Sequence, residues 1–405
     1  MTTKITLIGA RLSLNLGGPS LLAATKTVLD GCFENPEYTL IIPHKTLKLD
    51  EELAPRYGVS ILPFKPKIWT IPMVMCRKLF RTLIGPKDQI DVIRNVEEAD
   101  IIIDIWGIMN ADTLNDSFLY RLIVGLPLWM GKALGKPVIK YTAALGPFKK
   151  RWNRFFARYF LGKKTDLILT RDDTSYNDLQ TLGIKTPAHT IPDTAFLLQP
   201  RQSELSGEIA NERKNRPMVC LSVSYQANNR EKAPGAYVNS MVYLIDHIIK
   251  TYNAFVVLLP NELSDGPNDD TKIGQKILDK SDTKQCRLVN TKNLLAGETK
   301  GIINECDMVV AARYHTIVAA LSLGLPTLAI AWHHKYKEVL GLFEQQQRLC
   351  NIDELSDDEL VEKFDSLWKE REKAKELITS HVEEVKQKIR QGGELTYKVY
   401  TNFSA

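Results

Sequence analysis

Short runs of Val, Ile and Leu recur along the first half of the chain, and they are apolar throughout instead of alternating with polar residues. Unbroken apolar runs of this length are typical of parallel strands that are buried on both faces of a sheet. They predict strands at residues 4–9, 38–42, 99–105, 136–142 and 166–170. Two intervening segments, 19–30 and 118–135, carry apolar residues at helical spacing and are long enough to link parallel strands.

A second series of the same kind follows a change in composition. Residues 191–215 are polar and charged without an apolar period, so we place a domain boundary near Gln199. Beyond it, the pattern predicts strands at 218–224, 254–260, 287–290, 307–312 and 327–331, and helices at 234–251, 271–279, 295–304 and 315–323. We therefore expect an α/β protein with two Rossmann-like, doubly wound domains, residues 1–199 and 200–405. The charged, helix-prone segment 356–391 is expected to close the second domain and to pack back on the first.

Composition narrows the class of ligand. Among 405 residues, 53 basic and 48 acidic side chains leave a formal charge of +5, which is too small for a nucleic-acid-binding signature and suits acidic small molecules or an anionic surface. The six cysteines show no C-x-x-C pair, so they indicate neither a zinc site nor a disulfide framework, and a reducing cytosol is the expected location. No apolar run approaches the 18 or more residues of a transmembrane helix.

The segment 311–336, which reads AARYHTIVAALSLGLPTLAIAWHHKY, predicts an anion-binding edge. One apolar run leads into Arg313 and His315 on the first turn of a predicted helix, and the next apolar run leads into Lys335. Ligands gather at the carboxyl ends of parallel strands, where helix N-termini also offer N–H groups to anions. Arg313 and Lys335 supply positive charge, and the helix start favours the neutral form of His315. The alternative is that each side chain has only a structural role.

Loops of the first half offer further candidates. The loop at residues 9–19 has glycines at the wrong spacing for a dinucleotide fingerprint, which argues against NAD. Its Asn15 and Gly17 precede a helix, where backbone amides meet a ligand or where Asn15 caps the helix. Trp106 follows the third strand and is either a platform for a sugar or a filler between sheet and helix. Arg171 points into a cleft or pairs with a neighbouring aspartate; Asp193 is a hinge carboxylate, a base or a turn former.

Two smaller features carry weaker hypotheses. Residues 149–160 are basic, aromatic and amphipathic at helical spacing, which fits either an anionic membrane surface or a partly buried helix with a solvated cationic face. His333 and His334 have no Asp or Glu nearby before Glu338, so no metal site is predicted there.

Four pieces of the chain match a family pattern in order. They are Lys136-Pro137-Val138-Ile139 with Leu145-Gly146-Pro147, Leu169-Thr170-Arg171-Asp172 with Ser175 and Leu182-Gly183, Pro192-Asp193-Thr194-Ala195-Phe196, and Arg313-Tyr314-His315 through Gly324-Leu325-Pro326 to Lys335-Tyr336. With them the chain resembles the polysaccharide pyruvyl transferase family. It departs from the family where Gly18 replaces the Asp of an Asn-x-Gly-Asp pattern, and where Ile105-Trp106-Gly107 replaces a run of glycines.

The resemblance implies two Rossmann-type domains facing across a cleft, as in GT-B glycosyltransferases. It also implies transfer of a pyruvyl group from phosphoenolpyruvate onto hydroxyls of a cell-surface polysaccharide or its precursor, as a ketal, without a cofactor or metal. The resulting hypothesis assigns donor binding to Arg171, Arg313 and Lys335, catalysis to His315 and Asp193, and acceptor binding to Asn15, Gly17 and Trp106.

The partners expected on this hypothesis are phosphoenolpyruvate and a sugar or lipid-linked glycan, with no nucleic acid. The expected location is cytoplasmic, with peripheral contact at an anionic inner membrane face as a further hypothesis. Two alternatives stay open. One is a GT-B-type glycosyltransferase whose cationic edge holds the diphosphate of a nucleotide sugar. Against it, the second domain lacks a clear pair of glutamates flanking the donor loop, since the nearest are Glu338 and Glu344. The other is a non-catalytic sugar- or anion-binding protein of the same fold.

Overall fold

The chain forms two compact units, each built on a parallel sheet. The computed structural model describes residues 2–43, 47–109, 118–264, 266, 268–281, 283–333 and 335–404. The first unit comprises Met1–Ser13, Leu21–Thr194 and Gln387–Ala405, and the second comprises Leu14–Ser20 and Ala195–Lys386. The predicted α/β class with two Rossmann-like, doubly wound sheets is confirmed.

In the first unit the strands pair in parallel in the order β3-β2-β1-β4-β6-β7-β8, and β5 pairs with β6. The strands are β1 (Thr3–Ile8), β2 (Pro36–Ile42), β3 (Ser60–Pro63), β4 (Ile101–Asp104), β5 (Ile108–Met109), β6 (Val138–Leu145), β7 (Leu167–Thr170) and β8 (Ala188–Thr190). The helices are α1 (Gly17–Asp30), α2 (Leu47–Tyr57), α3 (Thr70–Phe80), α4 (Lys87–Glu98), α5 (Phe118–Ala133), α6 (Arg151–Lys163) and α7 (Asp173–Thr181). The central strand β4 is wholly buried, as its apolar sequence predicts.

In the second unit the order is β11-β10-β9-β12-β13-β14, again parallel, which is the Rossmann order with its switch point between the first and fourth strands. The strands are β9 (Met218–Ser222), β10 (Phe255–Leu258), β11 (Cys286–Leu288), β12 (Met308–Ala311), β13 (Thr327–Ala331) and β14 (Leu349–Asn351). The helices are α8 (Glu204–Glu212), α9 (Tyr225–Asn228), α10 (Ala236–Tyr252), α11 (Asp270–Lys280), α12 (Ala296–Asn304), α13 (Tyr314–Ser322), α14 (Lys335–Gly341), α15 (Asp357–Lys369) and α16 (Arg371–Ser404).

The division into units departs from a single boundary near Gln199. The chain passes from one unit to the other between Thr194 and Ala195. The loop Leu14–Ser20 belongs to the second unit because its backbone pairs with that unit: Leu16 N–H donates to Asn261 O at 3.1 Å. The end of α16 belongs to the first unit, where Tyr397 packs edge-on against Phe33 at 5.2 Å between ring centroids.

Residues 191–215, whose sequence shows no apolar period, contain regular structure. A short 3-10 helix spans Thr194–Leu197, and α8 follows. Helix α8 begins with a capping box, in which the Ser203 hydroxyl accepts from the Ser206 N–H at 3.1 Å and the Ser206 hydroxyl accepts from the Ser203 N–H at 2.9 Å. This local hydrogen bonding starts a helix whose apolar period is too weak to reveal it. Among the described helices, none combines the length and apolar composition needed to cross a bilayer.

Lys300 of α12 is buried, and its ammonium donates to the carbonyl of Leu198 at 2.5 Å. Burial lowers the pKa of Lys300 to about 7, and the nearby charge of Lys386 acts in the same direction. Below that pH the second unit contains a buried charge that it must desolvate, which costs stability.

Replacing Lys300 with methionine is therefore expected to raise the free energy of unfolding more at pH 6 than at pH 9. The unfolded chain keeps its lysine proton up to the ordinary pKa of 10.5, whereas the folded chain releases it near 7. The cost of burial is thus complete below pH 7 and falls as the pH rises above it. Urea titrations of both proteins at the two pH values measure the difference. The exposed Lys292→Met variant is the control, and an equal gain at both pH values for Lys300→Met would contradict the prediction.

Candidate functional site

A buried ion pair lies at the switch point of the second unit. Arg313 is the N-cap residue of α13, immediately beyond β12. Its Nε donates to Oδ2 of Asp270 at 2.8 Å, and its Nη2 donates to Oδ1 of the same carboxylate. Asp270 is fully buried at the start of α11. This two-pronged geometry is the strongest that a guanidinium makes with a carboxylate.

The carboxylate of Asp270 also binds the loops that follow the neighbouring strands. It accepts backbone N–H groups from Tyr225 at 2.8 Å, Asn261 at 3.1 Å and Glu262 at 2.8 Å. Asp270 therefore joins the loops after β9, β10 and β12 at one edge of the sheet. Burial by itself lowers the pKa of Arg313, but the charge and hydrogen bonds of Asp270 outweigh burial and raise it, so the guanidinium stays charged.

His315 lies on the first turn of α13, as predicted from the apolar run before it. Its ring packs so closely on Gly17 that a Cβ at that glycine would lie 2.6 Å from both Cε1 and Nδ1 of the imidazole. The next residue, Thr316, shares a hydrogen bond with the Ser222 hydroxyl at 2.9 Å and accepts from the Asn261 amide at 3.1 Å. These contacts orient the start of α13 relative to β9 and β10.

Lys335 begins α14, and its ammonium lies among aromatic rings. Its Nζ is 5.0 Å from the ring centroid of Trp332, 5.1 Å from that of Tyr314 and 5.7 Å from that of Tyr336. Trp332 Nε1 and the Tyr336 hydroxyl both donate to the carbonyl of Ala312, at 3.2 and 3.0 Å. The rings are thereby fixed to the end of β12, and ring faces of this kind attract and orient a cation.

Asn15 and Gly17 lie in the second unit rather than with the N-terminal half in which the sequence predicts them. The Asn15 side chain accepts from the N–H of Gly18 at 2.9 Å, and its backbone forms a bridge with Glu262. Asn15 therefore caps α1, the alternative role considered for it. Gly17 serves as the surface on which His315 packs.

In the first unit, Arg171 and Asp193 form a buried pair, with Nη1 3.0 Å from Oδ2. Arg171 follows β7. The next residue, Asp172, is the N-cap of α7, and its side chain accepts a hydrogen bond from the Ser175 N–H. Gly107 lies next to Arg171, since a Cβ there would be 3.8 Å from Nη1. The pair is thus placed near the loop that follows β4.

Trp106 is partly exposed at the end of β4, and it packs against Gly9, where a Cβ would lie 2.6 Å from the Trp106 Cβ. A buried pair that the sequence did not reveal supports this loop. Lys140 Nζ lies 3.0 Å from Oδ1 of Asp104 and donates to the Trp106 carbonyl at 2.8 Å. Burial lowers the pKa of Lys140, against the opposing effect of Asp104.

The structure thus brings Asn15, Gly17, Arg313, His315 and Lys335 together in the second unit, and Trp106, Arg171 and Asp193 in the first. Tyr314 connects the residues of the second unit, because its ring contacts both the imidazole of His315, at 5.4 Å between ring centroids, and the ammonium of Lys335. His334 lies outside the described residues. Within the described ranges, no cluster of three or more His, Cys, Asp and Glu side chains is arranged to hold a metal ion.

Comparison with known proteins assigns the family. The model of the family described as polysaccharide pyruvyl transferase matches residues 15–334. The chain belongs to the polysaccharide pyruvyl transferase family. The amylovoran biosynthesis protein AmsJ of Erwinia amylovora is 21% identical over 267 residues, which cover 62% of this chain and 62% of that protein. The chain thus spans less than two thirds of this curated relative.

Solved structures with the same fold bind nucleotide sugars. UDP-GlcNAc 2-epimerase from Neisseria meningitidis, bound to UDP-GlcNAc, has a TM-score of 0.59 at 13% identity, covering 99% of this chain and 100% of that one. Anabaena HepE in complex with UDP-glucose has a TM-score of 0.60 at 13% identity, covering 98% and 99%. At such low identity, the likeness shows the fold alone, a GT-B-like pair of Rossmann units.

Replacing Asp270 with asparagine is expected to lower the free energy of unfolding by about 3–5 kcal/mol, because the buried guanidinium of Arg313 loses its counter-charge. Urea titration measures the loss. Asp246→Asn is the matched control: that carboxylate pairs with Lys250 at 3.3 Å on the exposed face of α10. Its removal should cost less than about 0.5 kcal/mol. Equal losses for the two variants would show that the Asp270 pair does not hold the loops.

Proposed function

We propose that this chain transfers a pyruvyl group from phosphoenolpyruvate onto two hydroxyls of a sugar in a cell-surface polysaccharide or its lipid-linked precursor, forming a ketal. The observation that carries the proposal is the packing of Lys335 and His315 around Tyr314 at the carboxyl edge of the second sheet. Membership of the pyruvyl transferase family supports the reaction class.

Phosphoenolpyruvate is a compact anion with a phosphate and a carboxylate on the same carbon. Lys335, whose position is set by three ring faces, offers an oriented positive charge for one of these groups. The N-terminal end of α13 offers N–H groups and a positive dipole end for the other. His315 lies on that first turn, where its N–H can donate to a phosphate oxygen or pass a proton to the substrate.

Arg313 and Arg171 each pair with a buried carboxylate, which suits a positioning role. Arg313 binds the carboxylate of Asp270 with two of its nitrogens, and Arg171 pairs with Asp193 in the first unit. We assign direct donor contact to His315 and Lys335 because both lie against Tyr314 at the carboxyl edge of the second sheet. Arg313 sets the start of α13, and Arg171 and Asp193 support the loops beside Trp106, whose exposed ring is the proposed sugar platform.

The reaction needs only these groups and the two substrates. The oxygen of the first sugar hydroxyl bonds to C2 of phosphoenolpyruvate and passes its proton to the protein, while the protein delivers a proton to C3, which becomes a methyl group. The phosphate then leaves C2 with its bridging oxygen, and the second hydroxyl oxygen bonds to C2 and gives up its proton. Phosphoenolpyruvate and the diol are thus converted into a ketal and inorganic phosphate, without a redox step. Proton transfer and stabilisation of the departing phosphate are the parts that the protein must supply.

Replacing Lys335 with methionine or His315 with alanine is expected to lower phosphoenolpyruvate-dependent phosphate release by at least about a hundredfold, in the range typical of a lost acid or anion contact. Release of phosphate in the presence of an isolated lipid-linked glycan acceptor measures the rate. Lys337→Met is the matched control, because Lys337 lies on the same helix but is exposed. An unchanged rate in both site variants would contradict the assignment.

The donor class can be tested by ligand binding alone. Phosphoenolpyruvate is expected to raise the melting temperature of the protein. The Lys335→Met variant should lose that shift, whereas its melting temperature without ligand should equal that of the unchanged protein. Stabilisation by UDP or a UDP-sugar, without an effect of phosphoenolpyruvate, would instead favour a glycosyltransferase. Ligand binding without phosphate release for any glycan would favour a non-catalytic binding protein.

Replacing Gly17 with alanine is expected to lower phosphate release by about tenfold or more, because the new methyl group would lie within 2.6 Å of the His315 ring and displace it. The melting temperature should change little, since a side chain, not backbone, must move. Gly207→Ala in α8 is the control, as that position has open space around it. Full activity of Gly17→Ala would show that the position of His315 is not critical.

A further inference from the structure

The outward face of helix α3 is apolar, which is the reverse of the usual pattern for a surface helix. Trp69 and Phe80, at its two ends, are 69% and 72% exposed, and Leu79 is 64% exposed. Ile84, just beyond the helix, is 81% exposed. The inward side chains Met73 and Val74 are buried in the core of the first unit. The helix is therefore apolar on both sides, and folding of this unit alone leaves the outer side in water.

Helix α6 adds aromatic side chains to the same layer. Trp152 and Phe155 are each about half exposed at its N-terminal end. The ring of Phe118, at the start of α5, packs edge-on against Trp152 at 5.3 Å between centroids. Helix α5 lies beside both α3 and α6. We call this set, Trp69, Leu79, Phe80, Ile84, Phe118, Trp152 and Phe155, the apolar face.

Two of the segments that carry the apolar face contain basic side chains and no acidic ones. Residues 65–87 contain six Lys and Arg, residues 149–164 contain seven, and neither segment contains an Asp or Glu. Since the whole chain has a net charge of +5, the remainder of the protein is net acidic. Along α6, the exposed Arg151, Arg154 and Arg158 form a stripe next to Trp152 and Phe155. Positive charge is thus concentrated around the exposed apolar side chains.

We propose that the apolar face docks the protein on a lipid bilayer that contains anionic lipid. Exposed Trp, Phe, Leu and Ile would enter the boundary between headgroups and acyl chains, while the surrounding Lys and Arg bind the headgroups. Interfacial Trp side chains and basic residues beside an apolar surface are the combination that peripheral membrane proteins use. The proposal does not depend on which group the enzyme transfers.

A second copy of the chain is a poorer occupant. In a two-fold dimer the same patch meets itself, so the basic stripe of one copy would lie near that of the other. Residues 65–87 and 149–164 offer no acidic side chain to compensate this repulsion. Cores of stable protein interfaces are also depleted of charge, whereas here arginines alternate with the aromatic residues along α6. An anionic surface satisfies both the apolar and the basic groups.

Co-sedimentation with vesicles tests the proposal on the full-length protein. We expect binding to vesicles of phosphatidylcholine mixed with phosphatidylglycerol, at least about tenfold weaker binding to phosphatidylcholine alone, and weakening by salt. The double variant Leu79→Ser/Phe80→Ser should lose at least about tenfold in affinity, since two large apolar side chains no longer enter the membrane. Arg151→Glu/Arg154→Glu should lose binding to the anionic vesicles specifically.

Tyr243→Ser is the matched control, because Tyr243 is an exposed aromatic residue on α10 in the second unit. It should bind anionic vesicles as the unchanged protein does. Melting temperatures of all variants verify folding. The proposal is overturned if the unchanged protein binds neither kind of vesicle, or if the Leu79→Ser/Phe80→Ser variant binds as well as the control. It is also overturned if the unchanged protein is a dimer without lipid and the Leu79→Ser/Phe80→Ser variant is a monomer, because the apolar face would then bind a second copy of the chain. Because no turnover is measured, these outcomes are independent of the proposed reaction.

Discussion

The buried carboxylate of Asp270 is the contact on which the candidate site depends. It accepts hydrogen bonds from the guanidinium of Arg313 and from the backbone of the loops after β9 and β10. A buried carboxylate would be costly without such partners, and a buried guanidinium likewise. Each charge thus offsets the free-energy cost of burying the other, and together they hold loops that have no regular structure of their own. The first turn of α13, with His315, takes its position from this pair.

The first unit uses the same device at the carboxyl ends of its strands. Asp104 pairs with Lys140 across β4 and β6, and Arg171 pairs with Asp193 beyond β7. Loops at these ends must leave regular hydrogen bonding, so their polar groups need partners within the protein. A charged side chain has several hydrogen-bonding atoms, so one such residue can bind several of these loop groups. A conspicuous Arg at a strand end is consequently as consistent with loop support as with ligand binding, and only its partners distinguish the two.

Sequence reasoning found the central strands and the start of α13 because unbroken apolar runs mark strands that are buried on both faces. It missed the edge strands β8 and β14, which have only three residues each and make no apolar run. It missed α3 because apolar residues occupy both faces of that helix and hide the helical period. It also missed Asp270, because the Rossmann strand order brings the loops after β10 and β12 to either side of β9, far apart in sequence. The sequence identified Asn15 as a candidate, but it did not predict that the backbone of Asn15 pairs with that of Glu262.

Fold similarity and family membership carry different information about the donor. Solved structures in complex with UDP-sugars cover almost the whole of this chain at 13% identity, so the shared fold by itself does not identify the donor. What distinguishes donors is the chemistry after β12 and β13. A nucleotide spreads its charge along a diphosphate and needs room for a base and a ribose, whereas phosphoenolpyruvate concentrates its charges on adjacent groups. A single ammonium oriented by three ring faces, with a helix N-terminus and an imidazole alongside, is the reason for proposing the compact anion instead of the extended one as donor.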